Sequence, residues 1–283
     1  MQGYLLTLLA MLAFAGNSIL NRLALADGSI DAGSFSVIRL LSGALCLGAF
    51  YHISRAQRMT LNPRHLVKLM PFALPLLGYA LSFSYAYLDL TAGTGALILF
   101  ATVQLVLIAY HWMSGHRLTA GEWFGVMLAV GGFCLLLLPS ASQPDLISAL
   151  LMMVAGICWA VFTVVGKKAG QPLRSTYWGF LGAGLIVLVL SPWLVEPKAL
   201  STSGVIWALL SGAVMSAMGY VIWYRALAFI SVLKASVVQL SVPVLSVFGG
   251  LIWLQEPLNW RLSLASLLVL GGIALVFNTR KPD

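Results

Sequence analysis

Charge is what this sequence has least of. Asp and Glu number 8 and Lys and Arg 16, so only 8% of the 283 residues are charged, where a soluble domain carries about 25%. With 60% hydrophobic residues and a mean hydropathy of +0.97, no water-soluble fold could hide the apolar surface, and lipid is the solvent for most of the chain. The acids are confined as well as few. Asp27, Asp31, Asp89, Glu122, Asp145, Glu196, Glu256 and Asp283 all fall between apolar runs or at their ends. Paired carboxylates, HExxH and GxSxG are missing, so hydrolysis and metal chemistry have no visible apparatus. Gly166-Lys167-Lys168 lacks the upstream glycine of a phosphate-binding loop. Cysteine is scarce too. Cys46, Cys134 and Cys158 lie inside apolar runs at wide spacing, which predicts no disulfide framework and no metal site, only small packing residues. The pattern excludes an enzyme and implies no cofactor.

What is present is a series of apolar runs. Ten spans are predicted, at about 4–23, 34–53, 68–88, 92–113, 120–138, 146–166, 175–191, 204–229, 232–253 and 261–278. Each approaches the ~20 residues that cross ~30 Å of hydrocarbon. The longest gaps are 54–67 and 193–203, so no soluble domain is expected. The first run is too long for a signal peptide and has no basic residue before it, although Ala24-Leu25-Ala26 resembles a cleavage site. With the N-terminus inside, the inner loops and tail hold Arg55, Arg58, Arg64, Lys68, Arg117, Lys167, Lys168, Arg174, Lys234, Arg280 and Lys281, against Arg22, Lys198 and Arg261 outside. This bias predicts cytoplasmic N- and C-termini and accounts for the net charge of +8 without nucleic acid.

The chain is organised around Gly219–Pro257, read as an antiparallel helical hairpin turning at Ile230 and Ser231. Gly78-Tyr79 begins a segment that matches the one at Gly219-Tyr220. At constant offset Val103 meets Val244 and Trp112 meets Trp253, and after one gap Leu118 meets Leu258 and Gly131-Gly132 meets Gly271-Gly272. Upstream, Ala15 aligns with Ala160, Ser18 with Thr163 and Arg22 with Lys167. The repeat divides the chain into 1–142 and 143–283 with five spans each. An odd span count turns one half upside down relative to the other. Inverted repeats are a transporter architecture with the substrate site near midplane between the halves.

The stretch AFAGNSILNRLAL at 13–25, Arg39 early in the second span, GALILFATVQLVLIAYHWMSGHRLT at 95–119 and ASVVQLSVPVLSVFGGLIWLQEPLN at 235–259 resemble the EamA-type drug/metabolite transporter superfamily across essentially the whole chain. The run at 93–104 is similar to the YddG-type branch, which exports aromatic amino acids. The family often carries Pro in mid-span at both the fourth and ninth helices; here Thr102 stands opposite Pro243. The resemblance implies an all-α membrane protein of ten helices in a bacterial inner membrane, moving a small molecule by alternating access. The expected substrates are amino acids with aromatic or large apolar side chains; another metabolite or a drug is the alternative.

Candidate substrate-binding residues follow from mid-span position. Tyr79, Ser82 and Phe83 repeat the spacing of Tyr220, Trp223 and Tyr224, giving two aromatic faces with polar tips. They line a central cavity or, failing that, belong to the headgroup belt. Trp159 joins the cavity set, with Thr163 beside it and Asn17 and Ser18 in the first span, where helix–helix hydrogen bonding is the competing role. Gln104 and Gln239, one from each half, offer donors and an acceptor suited to an amino acid's carboxylate and ammonium. Arg22 and Arg39 could attract a carboxylate, but snorkelling to the headgroups is the expectation for both. Trp112, Trp193, Trp253 and Trp260, at span ends, are expected in the interfacial belt, and Asp89 in a cap or turn. The Gly pairs at 131 and 271 permit close helix contact within one subunit or between two in a homodimer.

Overall fold

The computed structural model describes residues 2–53, 63–115, 117–138, 143–169, 171–196, 200–226, 229 and 238–279. Among these the chain is helical: α1 Gln2–Leu25, α2 Ala32–Ile53, α3 Pro63–Ala86, α4 Ala92–Met113, α5 Ala120–Leu137, α6 Leu146–Ala169, α7 Pro172–Leu194, α8 Thr202–Leu209, α9 Gly219–Ala226, α10 Ser241–Trp253 and α11 Trp260–Thr279. A π-helical segment, Leu210–Met218, joins α8 to α9 into one span of Thr202–Ala226. Lipid cannot satisfy backbone N–H and C=O groups, so each apolar run closes its own hydrogen bonds as a helix. Among the described residues eight helices are long and apolar enough to cross a membrane, and Ser241–Trp253 and Trp260–Val276 are shorter apolar helices. The expected turn at Ile230 and Ser231, and Leu227 before it, lie outside the described residues.

The acids explain the helix starts. The Asp31 carboxylate accepts from the Ser34 N–H at 2.7 Å and that of Asp145 from the Ser148 N–H at 2.8 Å. Thr119 and Glu122 form a capping box at the start of α5. Asp27 accepts from Ser29, which holds its carboxyl below the ordinary range, and the Ser148 N–H does the same for Asp145. Asp89, in the turn after α3, accepts from the Ser148 hydroxyl at 2.8 Å and ties that turn to α6.

α5 packs along α11, α2 along α7, and α4 along α10. α3 lies on α6 and α7, while α1 lies on α9 and α2 on the π segment; α4 also meets α6, as α10 meets α1. The α5–α11 crossing is set by glycine. A Cβ on Gly125 would sit 2.5 Å from the Gly272 carbonyl oxygen, and one on Gly272 2.5 Å from that of Gly125. Gly132 packs against α11 as well, while Gly131 and Gly271 face open space. The second glycine of each pair therefore serves contact within the chain.

Candidate functional site

Where α1, α3, α6, α7 and α9 converge, their aromatic side chains meet. Trp159 of α6 is the hub. Its ring centroid lies 5.0 Å from Tyr79 of α3, 4.7 Å from Tyr220 of α9, 5.6 Å from Phe162 and 6.1 Å from Phe14 of α1. Phe14 also stands 6.0 Å from Tyr220 and 5.8 Å from Trp223. Phe83 adds a ring 5.2 Å from Tyr79, and Phe180 of α7 one 5.9 Å from Tyr220. Most pairs are tilted or edge-to-face, the arrangements that a ring quadrupole favours. Tyr79, Phe83, Trp159, Tyr220 and Trp223 are all buried, away from any lipid-facing belt.

A polar network runs beside the rings. Asn17 Nδ2 donates to the Tyr79 hydroxyl at 3.2 Å, and Asn17 Oδ1 accepts from Ser211 Oγ at 2.6 Å. Asn21 donates to the Asn17 carbonyl at 2.9 Å and accepts from Ser84 Oγ at 3.2 Å. The π segment makes this possible. Its wider i→i+5 winding brings Ser211 and Ser216, five residues apart, towards one side. Ser211 faces Asn17, and Ser216 Oγ accepts from Arg39 Nε at 3.2 Å. Gly212 lets the segment close on α2, since a Cβ there would strike the Arg39 carbonyl oxygen and Ser42 Oγ.

Arg39 departs from expectation. It does not snorkel but is 1% exposed. Its Nη2 donates to the Tyr79 hydroxyl at 3.1 Å, and its guanidinium carbon lies 5.1 Å from the Tyr79 ring and 5.0 Å from the Phe83 ring. Arg22 also turns inward. It pairs with Glu256 at 3.3 Å and donates to the carbonyls of Tyr87 at 3.0 Å and Leu88 at 2.7 Å. The Glu256 carboxylate meanwhile accepts from the Ala92 N–H at 2.9 Å, capping the positive end of α4. Gln255, with φ 52°, turns the chain so that the Glu256 N–H reaches the Gly250 carbonyl. Burial raises the Glu256 carboxyl above its ordinary value, against the opposing pull of Ala92 and Arg22.

Other expected site residues stand apart. Ser82 and Tyr224 are half-buried on α3 and α9. The Thr163 hydroxyl donates to its own helix, at the Trp159 carbonyl, 2.8 Å away. Gln104 is fully buried with neither amide atom hydrogen-bonded, and Gln239 is half-buried. A groove of about 630 Å³ between α4, α5 and α6, lined by Thr102, Leu105, Phe133, Cys134 and Met153, holds none of the expected set. Trp112, Trp193, Trp253 and Trp260 are exposed on the outside of the bundle. The sequence reading missed Phe14, whose signal was available: the offset that pairs Ala15 with Ala160 pairs Phe14 with Trp159.

The profile of the EamA-like transporter family matches residues 1–138 and 146–278. A Pseudomonas aeruginosa protein named only as uncharacterized is 45% identical over 276 residues, covering 98% of this chain and 94% of its own. The uncharacterized transporter YoaV of Bacillus subtilis is 25% identical over 260 residues, covering 87% and 88%. A solved crystal structure superposes with TM-score 0.68 over 97% of this chain and 96% of that one, at 15% identity, a likeness of fold alone. With apolar helices in number and this match over nearly its whole length, the chain belongs to the EamA-like transporter family and is a multi-pass membrane transporter, not an enzyme.

Proposed function

We propose that this transporter exports amino acids, aromatic or large and apolar ones preferred, across a bacterial inner membrane. The observation that carries the reading is Trp159 packed on both Tyr79 and Tyr220, at 5.0 and 4.7 Å. These two tyrosines hold matching positions in the segments 1–142 and 143–283. Rings packed on one another where the helices converge offer stacking faces to a planar side chain, and polar groups beside them offer orientation. The helix pairing supports two halves in inverted arrangement. Exchanging α1 with α6, α2 with α7, α3 with the Thr202–Ala226 span, α4 with α10 and α5 with α11 maps the main contacts onto one another. The two halves rock about the ring cluster, exposing it to one side and then the other. The charge bias of the loops places both termini in the cytoplasm. The substrate set comprises Tyr79, Phe83, Trp159, Tyr220 and Trp223, with Ser82, Gln104, Thr163, Tyr224 and Gln239 around it. Counterflow of labelled amino acids in liposomes holding only this protein tests the reading. Tryptophan, phenylalanine and leucine should exchange faster than alanine or glutamate. No exchange of any amino acid, with exchange of other metabolites, would overturn it.

A further inference from the structure

Arg39 is a permanent cation in a place with no anion. The ion pair Arg22–Glu256 lies elsewhere, at the start of α4, and among the described residues no carboxylate reaches Arg39. Its hydrogen-bond acceptors are two neutral hydroxyls, Ser216 Oγ and Tyr79 Oη. Its Nη1 is buried with no acceptor at all. Buried charge of this kind is costly unless paired.

The surroundings hold a surplus of donors. Tyr79 Oη accepts from both Arg39 Nη2 and Asn17 Nδ2, so its own hydrogen remains to be given. Ser216 Oγ accepts from Arg39 Nε and is in the same position. The Tyr220 hydroxyl lies near those of Tyr79 and Ser216 but forms no hydrogen bond. One guanidinium nitrogen and three hydroxyl hydrogens therefore stand together with no anion to receive them. A carboxylate, with two oxygens and about four lone-pair directions, fits that deficit. An ammonium does not, because the permanent guanidinium charge of Arg39 would stand beside it.

We propose that Arg39 Nη1, with the hydroxyls of Tyr79, Ser216 and Tyr220, binds the carboxylate of the transported solute, whose apolar group then lies among Trp159, Phe14 and Trp223. The proposal rests on the reading of the ring cluster as the transport site, and it narrows the solute to an organic acid or zwitterion. Arg39, Tyr79 and Ser216 belong to three different elements, α2, α3 and the π segment, so a bound carboxylate also bridges the two halves that rock against each other.

The test compares 3-phenylpropionate with its uncharged isostere 3-phenylpropanamide, by thermal shift of the purified full chain in detergent and by inhibition of counterflow. Phenylalanine and phenethylamine form a second pair. The wild type should prefer each carboxylate over its partner by about tenfold or more, the range of a buried charge-assisted hydrogen bond. Arg39→Gln should erase that preference, and Arg39→Lys should keep part of it. The ratio within one variant does not depend on how much protein is folded. Should Arg39→Gln fail to fold, Tyr220→Phe keeps the ring and removes one donor, and should narrow the ratio several-fold. Equal binding of acid and amide by the wild type, or an unchanged ratio in Arg39→Gln and Tyr220→Phe, would overturn the proposal. The two readings fail separately. Amino-acid counterflow with no dependence on Arg39 sinks the subsite and leaves the exporter. Arg39-dependent binding of 3-phenylpropionate without amino-acid counterflow does the reverse.

Discussion

Trp159 packs against both Tyr79 and Tyr220, and its removal should change selectivity before anything else. Trp159→Ala would also open a cavity in a buried cluster, at a cost of about 3–5 kcal/mol. Trp159→Leu is the cleaner change, because it keeps apolar volume and loses the ring faces. Its initial counterflow rate for tryptophan should fall relative to that for alanine by the equivalent of about 0.5–1.5 kcal/mol per lost ring pair. Equal losses for both substrates would mean that the indole only packs the protein. Tyr79, Trp159, Tyr220 and Trp223 were legible in the sequence because large aromatic residues sit in mid-span at repeating positions, where a headgroup belt cannot explain them. Arg39 was not legible. The snorkelling rule describes an arginine on a lipid-facing stripe, whereas Arg39 faces the π segment across α2, and no one-dimensional pattern specifies which face of α2 meets which neighbour.

At the scale of the element, the π segment is what turns a plain apolar span into part of the site. It carries Ser211 to Asn17 and Ser216 to Arg39 within nine residues. Its sequence, LSGAVMSAM, has small residues but nothing that distinguishes i→i+5 from i→i+4 bonding, so the sequence predicted an ordinary helix there. Gly212 is the residue on which the element depends. A methyl at this position meets a backbone carbonyl of α2, which cannot swing aside as a flexible side chain could. Gly212→Ala should therefore destabilise the chain by about 1–3 kcal/mol, the usual cost of overpacking, read as a lower Tm in detergent. It should also weaken substrate binding, since α2 can retreat only by drawing Arg39 away from Ser216. A Tm and affinity equal to wild type would show that the segment has slack. By contrast, Gly131→Ala, on open space, should leave both unchanged.

For the whole molecule the question is how the halves are held and what drives them. In the proposed orientation Arg22, the α3–α4 turn and the α10–α11 loop lie at the outer end, where Glu256 binds Arg22 and the first residue of α4. In the proposed two-half arrangement that contact joins the halves, and it must loosen for the ring cluster to open outward. The acids whose structure is described cap helix ends or lie in loops, none in the middle of a span, so no carboxylate among them is placed as a membrane proton carrier of the usual kind. Protons should act on the latch instead. Burial raises the Glu256 carboxyl above its ordinary value, so on acidification it takes up its proton, and the ion pair is lost, at a higher pH than for an exposed glutamate. A raised value also means that the folded chain takes up this proton before the unfolded chain does. Stability contributed by the group consequently rises as pH falls through the window, and the latch can release without unfolding. In liposomes with substrate equal on both sides, acidifying the outside should speed exchange in the wild type. Glu256→Gln, uncharged at every pH, should exchange at the faster rate throughout and show no such step. Neither should accumulate substrate against its gradient, because a zwitterion moves almost no net charge and the ~2.3 kcal/mol per charge per 100 mV has nothing to act on. Sustained accumulation that an uncoupler abolishes would show a proton coupled to transport, and exchange unaffected by outside pH would remove Glu256 from the gate.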